Sequence, residues 1–79
     1  MKIIVGGKKY QTYEEAAFAL GPDQHNIPEN LPTQCIGTWE MFRDKDGIPV
    51  LIAYTWAGAV LEYYHAYYDE VQGIWRWQV

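Results

Sequence analysis

Short apolar runs separated by glycine-, proline- and acid-rich breaks set the pattern of this chain. Lys2-Ile3-Ile4-Val5 is a β-rich run, Gly6-Gly7 a dipeptide that supplies positive φ, and Lys8-Lys9-Tyr10 the returning strand, so the pattern predicts an N-terminal hairpin. Thr12 stands three residues before Glu15, the spacing of a capping box. Tyr13, Ala16, Ala17 and Leu20 then fall on one face of a helix predicted over 13–20, which Gly21-Pro22 ends. Residues 21–33 hold three of the four prolines and predict an irregular, stiff loop pinned to the core by Ile27 and Leu31. Cys35–Phe42 and Ile48–Trp56 flank Asp44-Lys45-Asp46-Gly47, which predicts a central hairpin over 35–56 with Pro49 near a strand start or edge.

The segment 57–72 supports two periods. At helical spacing Ala57, Val60, Leu61, Tyr64, Tyr68 and Val71 share a face, Glu62, His65, Asp69 and Glu70 lie opposite, and Gly73 serves as the cap. As a strand its acids divide between both faces, although its four tyrosines favour a strand by propensity and 68–75 has the form of a hairpin tip. Charge segregation is the stronger pattern, so a second helix is expected at 57–72, which leaves Tyr63 exposed and Tyr67 near the boundary. Ile74 to Val79 alternates as a C-terminal strand. The expected architecture is a single α+β domain over 1–79: a small antiparallel sheet of the N-terminal hairpin, the central hairpin 35–56 and the strand 74–79, with helices at 13–20 and 57–72.

Composition narrows the classes. Of 79 residues, 49% are hydrophobic and 16% aromatic, too rich for intrinsic disorder. Cys35 is the single cysteine, which excludes a disulfide scaffold and fits a reducing compartment. The formal net charge of −4 argues against direct nucleic-acid binding, which calls for a basic stripe. Charge is uneven: Lys2, Lys8 and Lys9 stand without an acid in residues 1–13, while residues 14–46 set seven acids against Arg43 and Lys45. The start of the chain has too short an apolar run for an export signal, and Val50–Leu61 is too short and interrupted for a membrane span. The expected location is cytoplasmic, in the host cytoplasm if the chain is viral, with no membrane partner.

Catalytic chemistry has little to stand on. The histidines are His25 and His65, no local motif joins either to Cys35, and serine is absent from the sequence. One cysteine and two distant histidines fall short of a structural zinc site, and Asp44-Lys45-Asp46-Gly47 lacks the remaining ligands of a calcium loop. Gly6-Gly7-Lys8-Lys9 lacks the glycine spacing and hydroxyl residue of a phosphate loop. No enzyme, metal or cofactor is expected. The stretch from Gly7 to Gly21, with its glycine-tyrosine turn, Glu14-Glu15-Ala16-Ala17 helix and Leu20-Gly21 end, resembles the start of small DNA-binding modules appended to homing endonucleases. The resemblance covers fifteen residues, and the basic second helix those modules carry next is replaced here by Pro22 to Pro32 and net negative charge.

The aromatics carry the functional expectation. Eight of the thirteen lie between Tyr54 and Trp77, more than so small a domain readily hides. Tryptophans are expected mainly in the core, and exposed tyrosines at an interface. The reading is a non-enzymatic protein-binding module, similar in size and composition to phage-type inhibitors that dock on a host protein. Tyr63 and Tyr67 with the acids Glu62, Asp69, Glu70, Asp44 and Asp46 are its candidate contact residues, facing a partner with a basic surface. A nucleotide or planar-ring binder with an aromatic cleft, a structural subunit of an assembly, and a homo-oligomer remain open alternatives.

Overall fold

The computed structural model describes residues 2–32 and 37–78. Six strands form one sheet: β1 (Ile3–Val5), β2 (Lys8–Tyr10), β3 (Trp39–Arg43), β4 (Pro49–Tyr54), β5 (Val60–Asp69) and β6 (Ile74–Gln78), in the order β2-β1-β3-β4-β5-β6. A helix, α1 (Tyr13–Leu20), and a 3-10 turn (Gln24–Asn26) complete the α+β fold. The sheet is mixed, not purely antiparallel as expected, because β1 pairs parallel with β3. The path explains this. Gly21, just past the helix, packs against Arg43 at one end of the sheet, and the proline-rich segment brings the chain back to the other end, where the Trp39 N–H donates to the Lys2 carbonyl.

The first twenty residues fold as their pattern demands. Gly6 and Gly7 both take positive φ in the β1–β2 turn. Thr12 caps α1, its hydroxyl accepting from the Glu15 N–H at 3.2 Å. Ala16 is fully buried, with Tyr13, Ala17 and Leu20 half-buried beside it, so the apolar face is the predicted one. The central hairpin closes at Asp44–Gly47, where the Asp44 carboxylate accepts from the N–H groups of Asp46 and Ile48. Pro49 opens β4, as expected of a residue with no N–H. Cys35 and Val79, the predicted limits of two strands, lie outside the described residues.

The second helix expected at 57–72 is a hairpin instead. Thr55–Ala59 forms the β4–β5 turn, β5 follows as a ten-residue strand, and Gly73 sits at φ +70° in the β5–β6 turn. Charge segregation selects a helix only where one face of the segment is wholly buried, and here neither is. α1 packs chiefly on β1, β2 and β3, and β5 keeps exposed residues on both of its faces, so neither face of β5 is fully roofed. Glu62 therefore stays in water although it points to the helix side of the sheet, and Asp69 on the other side pairs with Arg76 at 2.9 Å. With acids tolerated on both faces, the β-preferring tyrosines decide the structure.

Register and alternation sort the side chains into two faces. Tyr10, Ile3, Trp39, Ala53 and Glu62 form one row on the face beneath α1, and Val5, Met41, Leu51 and Tyr64 form the next. Ala66 with Trp77 and Tyr68 with Trp75 continue that face. Ile27 and Leu31 of the proline loop close the core over it, and the Tyr13 hydroxyl donates to the Pro28 carbonyl, tying loop to helix. Burial pushes the Tyr13 hydroxyl pKa up; the nearby Trp77 indole opposes this in part, and Glu14 reinforces it. The Trp77 N–H itself is buried without an acceptor in hydrogen-bonding geometry.

Candidate protein-docking site

The opposite face of the sheet is covered by no described helix or loop. Across its middle run Lys9, Ile4, Glu40, Ile52 and Tyr63, all in register, followed by Phe42, Val50, His65 and Gln78. Tyr54 lies opposite Val60 at one end, where a bulge follows Ala53, and Tyr67 lies opposite Arg76 toward the other. Val50 and Ile52 are nonetheless buried, at 1% and 6% exposure, because larger side chains flank them on both sides. The aromatic layer above them meets solvent: Tyr63 is 49% exposed and Tyr67 41%.

Local contacts hold this layer in place. The Tyr63 and His65 rings stack with centroids 5.9 Å apart. The Tyr54 hydroxyl donates to the Glu40 carboxylate at 2.8 Å; that bond is the main reason its pKa is raised, with burial and the Glu40 charge adding to it. Arg76 Nε donates to Asp69 Oδ2 at 2.9 Å, and its Nη2 donates to the Gln72 side-chain carbonyl. These contacts fix rotamers before any partner arrives, which lowers the entropy cost of docking.

The seven sequence-derived candidates do not form one surface. Tyr63, Tyr67 and Asp69 share the open face. Glu62 points to the opposite side, at the rim beyond α1. Asp44, Asp46 and Glu70 belong to the β3–β4 and β5–β6 turns, which the register sets at the same end of the sheet. Two of the acids serve the fold first: Asp44 caps its own turn, and Asp69 accepts from the N–H groups of Val71 and Gln72 besides binding Arg76. Phe42 and Tyr54, half-buried on this face, escaped the sequence reading as surface residues, whereas His65 was expected on the polar side of 57–72 and is exposed. The alternation of Val50, Ile52 and Tyr54 opposite Phe42 was the available signal, obscured because β4 is apolar at nearly every position.

Trp39 and Trp77 are core, Trp75 is half-buried, and Trp56 at the β4–β5 turn is 83% exposed. A groove of about 190 Å³ lies between the proline loop and β6, lined by Leu31, Pro32, Trp75 and Trp77 among others. That is small beside the roughly 300–1,000 Å³ of ordinary ligand pockets, whereas shallow, open hollows of about 530 Å³ beside Tyr10 and Phe18 and about 310 Å³ beside Tyr13 and Ile27 lie against α1. Among the described residues no three His, Cys, Asp or Glu side chains gather as a metal site, and no helix is long and apolar enough to cross a membrane. Compared with known protein families, characterised proteins and solved structures, the chain matches none.

Proposed function

We propose that this chain is a non-enzymatic protein-binding module that docks through the open face of its sheet, in the manner of small acidic inhibitors that occupy a partner's basic surface. One observation carries the reading: α1 and the proline loop pack on one face, while the other presents exposed Tyr63 and Tyr67 over buried aliphatic residues with no helix or loop above them among the described residues. Tyrosine gives large contact area at small entropy cost, and a locked aromatic layer suits a protein surface better than a small solute. The accessible surface is 5288 Å², so an ordinary interface of about 800 Å² per partner would use roughly 15% of it. The acids Asp46 and Glu70, on turns at one end of the sheet, would meet the partner's basic rim and speed encounter more than they tighten the complex.

The test is capture of a partner from the cells that make the protein, with the wild type and the Tyr63→Ala/Tyr67→Ala double variant as baits. Circular dichroism first establishes that both are folded. One defined protein retained by the wild type, and weakened at least tenfold in the variant, is the expected result, since a central aromatic anchor contributes about 2 kcal/mol or more. Equal retention by both baits, or no retained protein, contradicts the proposal.

A further inference from the structure

Charge on the open face of the sheet is not balanced locally. Lys9, Glu40, Asp69 and Arg76 stand on it, and among the described residues Arg76–Asp69 is the one ion pair. Glu40 sits on β3 near the middle of the sheet, half-buried. One of its carboxylate oxygens accepts from the Tyr54 hydroxyl at 2.8 Å, and neither Lys2 nor Lys9 comes within ion-pair distance of it. A carboxylate drawn partly out of water without a counter-ion costs free energy that an incoming cation recovers in part. The surroundings favour one kind of cation. Ile52, 6% exposed, lies opposite Glu40, and Tyr63 lies beyond Ile52 in the same row, two strand spacings or about 10 Å from Glu40. A flat, weakly hydrated guanidinium spans that distance, its edge on the carboxylate and its face on a tyrosine ring. A compact, strongly hydrated ammonium meets the carboxylate but covers the rings less well.

We infer that Glu40, framed by Tyr54 and Tyr63, is the seat for an arginine side chain projected from the partner's basic surface. This seat presupposes the open face as the docking surface and specifies what docks at its centre. A second copy of the chain does not supply the arginine. Both arginines of the sequence are engaged within the fold: Arg43 donates to the Gly47 and Asp23 carbonyls, and Arg76 to the Asp69 and Gln72 side chains. The occupant is therefore an arginine of another protein.

The test titrates the whole chain with capped pentapeptides Thr-Leu-X-Leu-Thr, where X is arginine, lysine or citrulline, and follows backbone amide shifts by NMR. Citrulline keeps the shape of arginine without its charge. Glu40→Gln keeps an acceptor for the Tyr54 hydroxyl while removing the carboxylate, and circular dichroism establishes that it is folded. At millimolar peptide, arginine is expected to shift the amides of Glu40, Tyr54 and Tyr63. It should bind about threefold more tightly than lysine and about tenfold more tightly than citrulline, as a charge-assisted, stacked pair requires. Glu40→Gln should erase the preference for arginine over citrulline. No shifts at these positions with millimolar arginine peptide, equal binding of the arginine and citrulline peptides, or a preference that survives in Glu40→Gln each overturn the seat. Lysine bound as tightly as arginine overturns the stacked guanidinium. A partner lost from the Tyr63→Ala/Tyr67→Ala bait but held undiminished by Glu40→Gln overturns the arginine anchor and leaves the docking face standing, so the two failures are distinguishable.

Discussion

Removing one oxygen atom, in Tyr13→Phe, tests how the fold is closed. The ring keeps its place between α1 and the proline loop, and the hydrogen bond to the buried Pro28 carbonyl is lost together with the polar neighbour of the Trp77 indole. A net hydrogen bond contributes about 1 kcal/mol, and an acceptor left buried without a donor adds a desolvation penalty, so the expected loss is about 1–2 kcal/mol. A domain of this length holds on the order of 4–12 kcal/mol in all. At about 4–8 °C per kcal/mol, the melting temperature should fall by roughly 4–16 °C at pH 7. The pH dependence gives a second readout. Folding raises the Tyr13 pKa above its unfolded value near 10, so the native state binds more protons than the unfolded state once pH passes 10. Its contribution is present in full below that pH and lost as pH rises. Thermal melts followed by circular dichroism from pH 7 to 11.5 should show the wild type losing stability above pH 10, and Tyr13→Phe losing less over the same interval. Tyr54, raised in the same direction, leaves a residual slope in the variant. An unchanged melting temperature together with an unchanged alkaline slope would refute the account of how the loop is pinned.

Gly37→Ala should cost about 2–4 kcal/mol by urea unfolding, because a Cβ there would lie 2.3 Å from the Tyr54 carbonyl oxygen and disturb the Tyr54 N–H to Thr38 bond of 2.8 Å. Asp44→Ala removes the acceptor for the Asp46 and Ile48 N–H groups, and its urea midpoint should register about 1–2 kcal/mol of destabilisation. Arg76→Met breaks the half-exposed pair with Asp69, and the same measurement should show less than about 1 kcal/mol.

Most of the fold's local geometry was legible because it is set by short-range chemistry. The Thr12 cap, the Gly21-Pro22 stop, the Gly6-Gly7 turn and the Asp44–Gly47 turn each depend on residues within a few positions of one another. The 57–72 segment was not legible by the same means, since what decides it is the extent of α1's cover, a tertiary fact. The expected exposure of Tyr63 nevertheless survived the wrong period, and Tyr67, expected near the boundary, is exposed too. Tyr63 and Tyr67 are four apart, as are Tyr64 and Tyr68, and a spacing of four keeps residues on one face in a helix and in a strand alike. Thus Tyr64 is buried and Tyr63 exposed under either reading. The grouping of acids with those tyrosines depended on the helix, and it dissolved when Glu62 fell on the other face and Asp44 and Asp69 were taken up by their own turns. The parallel β1–β3 pairing rests on the chain re-entering the sheet at Trp39, beside Lys2, which no local pattern encodes.

The central claim is that the open face of the sheet is the docking surface. A photo-crosslinking side chain, p-benzoylphenylalanine, placed at Tyr67 on that face and separately at Ala19 on the exposed side of α1, tests it in the cells that produce the protein. The account predicts a covalent adduct of one defined mass from position 67 and none from position 19. Adducts from position 19 alone, or none from either, would contradict it.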